Sequence, residues 1–334
     1  MSELRKDIVS GDWTLVSPGR GKRPNEYRNK NKPPKPTPIK DCLFEDPAEA
    51  AGALISRYPN KGEWQIQVIP NKYPAVGNIT NYNGGDKPSQ PARHGLYWTL
   101  EAKGYHEVMV TRSHKLNFAY LPPSKAKMVF QAVQDRFRFF AKDKNVTYAS
   151  FFQNSGEDTG ASIYHPHYQL ITLPIIPPDV GHSLEGSRKY MKKNKRCVHC
   201  DMIAWERKEK KRIIFENDKA VAFAPFVSKS PFEIRIFPKT HLPYFEETTG
   251  GMISGVAEAM QMSLKKINAA VTHNYNLFIH TAPLKDSKLY SHYHWHIEIL
   301  PKVSQYGGFE LETGVIINSL DPDVAAEAVK NARI

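Results

Sequence analysis

Two short segments of the chain concentrate side chains that bind metals and attack phosphorus. Residues 164–169 read Tyr-His-Pro-His-Tyr-Gln and residues 291–298 read Ser-His-Tyr-His-Trp-His-Ile-Glu, so together they hold five of the thirteen histidines. Imidazole is a common metal ligand and a nucleophile in covalent catalysis. Alternate residues of a strand face the same side of a sheet. The two trios expected to project together are therefore His165, His167 and Gln169, and His294, His296 and Glu298.

The two segments belong to an internal repeat. Residues 148–170 can be laid over residues 275–299, each with an aromatic, strand-like run, a polar loop and the histidine pair. Upstream, residues 106–122 match residues 232–247, each a strand-like run that leads to a histidine. From that histidine to the first of the pair there are 51 residues in the first copy and 53 in the second. Matching features in one order at nearly one spacing indicate a duplicated chain.

Each copy also contains a helical stretch between its matched segments. Residues 124–144 repeat apolar side chains at helical spacing behind Ser124, an N-cap candidate, and residues 250–271 are the counterpart. Strands, one long helix and a last strand with His-x-His predict an α+β unit with a mainly antiparallel sheet in each half. We place the halves at residues 1–177 and 178–334, joined by a linker near residues 178–197. Their sheets should be able to join into one.

Each half offers one set of potential metal ligands. Two cysteines, or a cysteine and a glutamate, are spaced as Cys-x-x-(Cys/Glu) and are followed by two distant histidines, which suits a tetrahedral structural zinc site. Unrelated buried cysteines and core histidines are the alternative, and His199, His292 or His296 could replace a histidine ligand. The predicted ligands are Cys42, Glu45, His114 and His165 in the first half, and Cys197, Cys200, His241 and His294 in the second.

His167 has a different chemical character from the neighbouring His165. If His165 is held by a metal, His167 remains free, and a neutral imidazole can attack phosphorus while Gln169 donates a hydrogen bond to a phosphoryl oxygen. The preceding loop, residues 154–162, supplies small residues and backbone amides that suit a phosphate. A histidine that alternates along a strand is more often an ordinary surface or core residue, so the residues alone leave both interpretations open.

The charge balance of the chain is strongly basic. The formal net charge is +12 over 334 residues, and much of it lies in residues 29–40 and 187–197, which are poor in apolar side chains. Solvated linkers explain such runs, although a polyanion or a small anionic substrate is an alternative. No nucleic-acid-binding motif, secretory signal or membrane span is apparent, and three cysteines do not make a disulfide framework. We therefore expect a cytoplasmic protein without a specific nucleic-acid partner.

Several motifs, in one order along almost the whole chain, resemble the galactose-1-phosphate uridylyltransferase family of the histidine-triad superfamily. The resemblance is nearest to the branch that contains ADP-glucose phosphorylases. The segments that carry it are GDWTLVSPGRGKRP (11–24), NKYPAV (71–76), NSGEDTGAS through HPHYQ (154–169), and GGFELETG (307–314).

The resemblance implies a ping-pong nucleotidyl transfer. A histidine takes the nucleotide from a nucleotide sugar and releases a sugar 1-phosphate, and a second sugar phosphate or phosphate then collects the nucleotide. Matched by motif, His167 is the nucleophile, with Gln169 and Ser162 at the phosphoryl oxygens. The residues implied to meet substrate are Arg20 and Arg23 at phosphates, Asn71 beside the nucleoside, Asn154 in support of the active-site loop, and Phe309 and Glu310 over the sugar. The family also implies two Zn²⁺ ions and a homodimer.

Three positions depart from the common pattern of the family. Glu45 stands where a second cysteine ligand is usual, Tyr164 replaces an asparagine before the His-Pro-His core, and Glu298 replaces a further histidine. The last change argues against an iron site. The sequence does not separate a hexose-1-phosphate uridylyltransferase from an ADP-sugar phosphorylase. It is also compatible with a nucleotide hydrolase, and with a zinc-stabilised nucleic-acid-binding scaffold that lacks catalysis.

Overall fold

The structure is a computed structural model that describes residues 2–21, 37–77, 88–284 and 289–334. This part of the chain contains fifteen strands and seven α-helices. The strands are β1 Glu3–Lys6, β2 Trp13–Val16, β3 Ser56–Tyr58, β4 Ile66–Pro70, β5 Ala92–His94, β6 Tyr97–Thr99, β7 His106–Thr111, β8 Tyr148–Ser155, β9 His167–Leu173, β10 Ile213–Glu216, β11 Ala220–Phe223, β12 Ile234–Pro238, β13 Tyr275–His280, β14 His296–Pro301 and β15 Ile316–Asn318. The helices are α1 Pro47–Ala51, α2 Pro123–Phe140, α3 Pro178–Asn194, α4 Val198–Glu209, α5 Gly250–Ala270, α6 Gly308–Thr313 and α7 Pro322–Lys330.

Ten strands form one antiparallel sheet in the order β10-β11-β12-β14-β13-β8-β9-β7-β4-β3. Corresponding strands of the two halves lie at equal distances from the β13–β8 junction. Counted outward from it, β14 and β9 come next, then β12 and β7, then β11 and β4, and last β10 and β3. Phe278 pairs with Phe152 at that junction. The α+β fold with two related halves is thus as the sequence predicts, and the two sheets do join into one.

Helices α2 and α5 pack against each other and cover one face of this sheet. Their apolar stripes bury large side chains such as Phe130, Phe137 and Phe140 completely, in a core that also takes in Trp295 from the second half. Burial of one such side chain stabilises the fold by about 1.5–3 kcal/mol. Arg136 on α2 and Glu107 on β7 form a buried two-bond ion pair at 2.6 and 2.8 Å. The opposite face of the central strands is only partly covered, and it carries the polar side chains of interest.

The segment predicted to link the two halves is helical. Residues 178–194 form α3, and Lys195, in the left-handed region at φ 60°, ends it. Val180, Leu184 and Ser187 lie on one buried stripe of α3, while Arg188 and the three lysines are exposed. The segment does lie between the two halves, but it is a partly buried helix and not a solvated run, which its sequence hides because basic residues dominate its composition and its buried stripe is narrow.

The predicted start of the first long helix also needs correction. Ser124 does not cap α2, because the helix already begins at Pro123, behind Pro122. Proline is well suited to a first helical turn, since its fixed φ matches the helix and its missing N–H would be unpaired there. Ser124 is exposed in the first turn instead.

Candidate active site and metal centres

Four side chains of the second half converge on one point at the start of α4. Cys197 is the N-cap residue of this helix and Cys200 lies in its first turn, while His241 follows β12 and His294 precedes β14. The ligand atoms of these four residues all lie within 4.8 Å of one another. The Cys200 Sγ is 3.4 Å from Nδ1 of His241 and 3.6 Å from Nδ1 of His294. The partial positive charge of a helix N-terminus favours thiolates at this position.

The two thiols titrate as a pair. The hydrogen bond from the Cys200 thiol lowers the pKa of Cys197 far below its ordinary value and raises the pKa of Cys200. A hydrogen bond with the Cys197 thiolate raises the pKa of His241, whereas burial lowers the pKa of His294. Two cysteine sulfurs packed against imidazoles are a donor set that suits a soft or borderline cation.

The first half brings its four predicted ligands together in the same way. Cys42 and Glu45 flank a short 3₁₀ turn, and their ligand atoms lie within 4.8 Å of those of His114 and His165. Glu45 Oε1 is 2.7 Å from Nδ1 of His114 and 3.3 Å from Nδ1 of His165, and the Cys42 Sγ is 3.6 Å from the latter. Burial raises the pKa of the Cys42 thiol.

Backbone carbonyls fix the orientation of three of these histidines. Nε2 of His114, His165 and His241 lies 2.7, 2.6 and 2.9 Å from the carbonyl oxygens of Thr37, Thr111 and Ser291. Because a carbonyl only accepts, each Nε2 carries the proton and each Nδ1 turns its lone pair toward the cluster. Such outer hydrogen bonds usually orient histidine ligands in metal sites.

A third cluster consists of two histidines and a glutamate, His280, His296 and Glu298, whose potential ligand atoms also lie within 4.8 Å of one another. The guanidinium of Arg235 lies 3.0 Å from Glu298 and 2.9 Å from Glu233, so the carboxylate is already paired with a buried cation. Charge repulsion from this guanidinium opposes a metal ion at the cluster.

His167 lies at the start of β9, beside a cavity of about 320 Å³. Its Nδ1 is 2.9 Å from the carbonyl oxygen of His165, so Nδ1 donates and Nε2 keeps its lone pair. The edge of Phe44 packs on the ring at 5.1 Å between centroids, and burial lowers the pKa of His167. Residues that line the cavity include Lys115, Asn154, Ser155, Ser162, Tyr164 and His273. A neutral imidazole with a free ring nitrogen can act as a nucleophile.

Gln169 lies on the same face of β9 as His167, since Tyr168 and Leu170 between and beyond them point into the core. Its Oε1 is 2.9 Å from Nε2 of His106, and the same ring nitrogen is 3.0 Å from Nδ2 of Asn71. The structure therefore joins two residues predicted from the sequence, Gln169 and Asn71, through a third, His106, that was not predicted.

The loop that borders the cavity is held by residues of the second half. Asn276 on β13 donates to the side chain of Asn154 at 2.9 Å and to the carbonyl of Thr159 at 3.2 Å. Just before β13, Asn274 donates to Asp158 at 3.0 Å. These contacts were not predicted from the sequence, although Asn276 and Asn154 occupy paired positions across the β13–β8 junction.

Gly156 allows this close contact between the halves. Its φ is +93°, and a Cβ built there would lie 1.9 Å from Oδ1 of Asn274. We expect Gly156→Ala to lower kcat by about tenfold or more, because the loop must move away from its place beside His167. Steady-state kinetics together with thermal unfolding would check this.

Gly160→Ala is the comparison variant in the same loop. Gly160 has a similar φ of +89°, but a Cβ there meets only Nδ2 of Asn154 at an ordinary 3.6 Å. Gly160 is left-handed with ψ 14°, whereas Gly156, with ψ 163°, lies in a region that is essentially restricted to glycine, so the difference between the variants combines the clash with Asn274 and the greater backbone strain at Gly156. Equal losses in the two would argue against a role for the Asn274 contact.

Four further residues were predicted to contact substrate. Arg23 and the side chain of Arg20 fall outside the described residues. Phe309 and Glu310 belong to α6, where Glu310 accepts the N–H of Gly307 at 2.9 Å and Phe309 is exposed. Like Gln169 and Asn71, neither residue is among those that line the cavity beside His167 within the described part of the chain.

The similarity of the chain to a known family covers its whole first half. A family model described as the N-terminal domain of galactose-1-phosphate uridyl transferase matches residues 1–177, which is more than half of the chain. The chain belongs to this family. A second model, a domain of unknown function (DUF4921), matches residues 102–333 of this family member.

Two relatives and one solved structure span the whole chain. An ADP-glucose phosphorylase of Arabidopsis thaliana is 32% identical over 99% of this chain and 93% of the relative. A galactose-1-phosphate uridylyltransferase of Thermotoga maritima is 24% identical over 100% and 99% of the two chains. The crystal structure of an ADP-glucose phosphorylase from Arabidopsis thaliana with bound ADP-glucose aligns with a TM-score of 0.84 at 28% identity and covers 100% of both chains. Among the described helices of this family member, none combines the length and apolarity that crossing a membrane requires.

Proposed function

We propose that this protein is a nucleotidyltransferase that moves a nucleoside monophosphate between a nucleotide sugar and a sugar 1-phosphate or phosphate. The observation that carries the proposal is the state of His167, whose Nδ1 is engaged by the His165 carbonyl and whose Nε2 has no partner among the described residues. That nitrogen stands beside a cavity large enough for a phosphate with its neighbouring groups.

In the first half-reaction, Nε2 of His167 attacks the α-phosphorus and forms a phosphorus–nitrogen bond. The bond from that phosphorus to the bridging oxygen breaks, and the sugar 1-phosphate leaves with the electron pair. In the second, an acceptor phosphate oxygen attacks the same phosphorus and returns the electron pair to Nε2. Hydrogen bonds from Gln169 and Ser162 would stabilise the charge that develops on the phosphoryl oxygens, while Asn154 would hold the loop.

Two Zn²⁺ ions suit the two four-residue clusters. Cys197, Cys200, His241 and His294 would hold one ion, and Cys42, Glu45, His114 and His165 the other, each as a closed tetrahedral set. Four protein ligands leave no position for a reactive water, so these ions would stabilise the fold and fix His165 beside His167. A carboxylate in the first set makes a harder ligand than the second thiolate it replaces.

The remaining substrate contacts follow the family resemblance. Arg20 and Arg23 would meet phosphates, and Asn71 the nucleoside. Because α6 does not line the cavity of its own chain, Phe309 and Glu310 would close over the sugar in the cavity of a second protomer, within the homodimer that we also propose. We propose a cytoplasmic location on the grounds of three unbridged cysteines and these metal ligands.

The base that is transferred separates two versions of the function. Relatives of both kinds support one version each. The Arabidopsis thaliana ADP-glucose phosphorylase, at 32% identity, supports adenosine as the alternative, and the Thermotoga maritima uridylyltransferase, at 24% identity over its whole length, supports uridine. Intact-protein mass spectrometry after brief incubation with UDP-glucose, and separately with ADP-glucose, without acceptor, tests both. We expect a mass gain of one UMP or one AMP unit.

The same experiment distinguishes transfer from hydrolysis. A transferase should keep the adduct until a sugar 1-phosphate or inorganic phosphate is added, after which the unmodified mass returns. A hydrolase would turn over the donor without any phosphate acceptor. No adduct and no turnover with either donor would contradict the proposed function and favour a scaffold protein.

A further inference from the structure

His106 lies at the first position of β7, between the segment that carries Asn71 and the strand that carries Gln169. Three contacts hold its ring. Nδ1 is 3.0 Å from the backbone nitrogen of Ala75, and Nε2 is 2.9 Å from Oε1 of Gln169 and 3.0 Å from Nδ2 of Asn71. The backbone is tied in as well, since the N–H of Asn71 donates to the carbonyl of His106 at 2.9 Å.

The hydrogen-bonding rules of these groups fix the tautomer of His106. A backbone N–H only donates, so Nδ1 must accept from Ala75 and carry no proton. A neutral imidazole then has its single proton on Nε2, which can donate to one acceptor. Nδ2 of Asn71 cannot accept this proton, and Oδ1 of Asn71 already accepts the N–H of Tyr73 at 2.9 Å. Of the two amides beside Nε2, the oxygen of Gln169 is therefore the acceptor.

The tautomer in turn fixes the amide of Gln169. Were this amide turned over, its NH₂ group would face the Nε2 proton of His106, two donors at 2.9 Å. The side-chain oxygen of Gln169 therefore faces His106. The NH₂ group of Gln169 points away from His106, where it can donate hydrogen bonds but cannot accept them. A phosphoryl oxygen only accepts hydrogen bonds, so this is the orientation that binding to it requires.

We infer that His106 is a positioning residue that locks Gln169 as a hydrogen-bond donor to the transferred phosphoryl group and ties it to the nucleoside-binding segment. This inference rests on the proposed nucleotidyl transfer. His106 itself touches neither phosphorus nor the leaving group. Its effect passes through Gln169, because the rotation of a side-chain amide is otherwise free on the partly open face of the sheet.

Two substitutions of His106 separate positioning from packing. His106→Phe keeps the ring shape but removes both hydrogen bonds. His106→Gln keeps an NH₂ donor near the position of Nε2 and gives up only the acceptor for Ala75. We expect the Phe variant to slow formation of the nucleotidyl adduct by about 10- to 100-fold, with the Kd for the nucleotide sugar changed less than about threefold. The Gln variant should recover most of the rate.

A double-mutant cycle with Gln169→Leu tests the route of the effect. In that background His106→Phe should slow the adduct no further, because no amide remains to be oriented. Three outcomes would each overturn the inference while the proposed function stands. They are an equal loss in both backgrounds, full activity in His106→Phe, and a His106→Gln variant as slow as His106→Phe. Absence of an adduct on the wild-type protein with UDP-glucose and with ADP-glucose would overturn the proposed function and this inference together.

Discussion

His167→Gln should abolish nucleotidyl transfer. Glutamine keeps a polar side chain of similar size beside the cavity, but its amide nitrogen has no lone pair that can form a stable bond to phosphorus. Loss of a covalent nucleophile typically lowers kcat by about 10³-fold or more. Intact mass after incubation with the donor that modifies the wild-type protein should show no adduct. Steady-state transfer to inorganic phosphate and to a sugar 1-phosphate should fall in parallel.

His296→Gln is the matched control, since His296 occupies the equivalent place in the second half. Its Nδ1 is 3.2 Å from the carbonyl oxygen of His294, as Nδ1 of His167 is 2.9 Å from that of His165. Its Nε2, however, lies 3.4 Å from Glu298, beside Arg235. Burial lowers the pKa of His296 to about 3, so both rings are neutral near pH 7.

The control variant should keep the adduct, although removal of the ring stacked on Phe237 at 4.7 Å lowers the melting temperature. Both rings border a cavity of about 320 Å³. The comparison therefore tests whether two similar neutral imidazoles differ in function because Nε2 of His296 is engaged by Glu298, whereas Nε2 of His167 has no partner among the described residues. An adduct that survives in His167→Gln, or one that is lost only in His296→Gln, would show that the nucleophile is not His167.

The repeat in the sequence was sufficient to predict two related halves, a sheet that joins them, and the convergence of both four-residue clusters. A duplication places equivalent residues at equivalent positions, so Cys42 and Glu45 could be matched to Cys197 and Cys200 although Cys-x-x-Glu alone is a weak signal. The α+β class followed from the switch between strand-like and helical periodicity. These features are local patterns, or copies of local patterns, and a single sequence contains them.

The contacts between the halves could not be predicted in this way. Asn276 meets Asn154 because β13 and β8 happen to pair at the centre of the joined sheet, and the register of that pairing is a tertiary property. The tautomer of His106 depends on the backbone of Ala75, 31 residues away, for the same reason. The error at α3 was of another kind, since the basic composition outweighed a buried stripe of three residues that was present in the sequence.

Cys200→Ser should remove about one metal ion per chain and strongly destabilise the protein. The apparent free energy of zinc binding at structural sites in small zinc-dependent peptides is about 10–16 kcal/mol. This range is similar to or larger than the free energy of unfolding of an ordinary domain, about 5–15 kcal/mol. The hydroxyl of serine is a poor zinc ligand beside Cys197, His241 and His294. We expect elemental analysis to fall from about two zinc ions to about one, and the unfolding midpoint to fall by about 10 °C or more.

His292→Gln controls for the choice of histidine in that cluster. His292 is close in sequence to His294, yet it is not part of the group Cys197, Cys200, His241 and His294 whose ligand atoms lie within 4.8 Å of one another. The variant should therefore keep both ions, while a lost ion would move His292 into the ligand set.

Cys42→Ser provides the comparison with the first cluster, where Glu45 would already supply an oxygen ligand and His165 precedes His167 by two residues. Loss of that ion should slow adduct formation more than Cys200→Ser does at a temperature where both variants are folded, because only the first cluster fixes the backbone carbonyl that orients His167. Full zinc content in both cysteine variants would contradict the assignment of these clusters as metal sites.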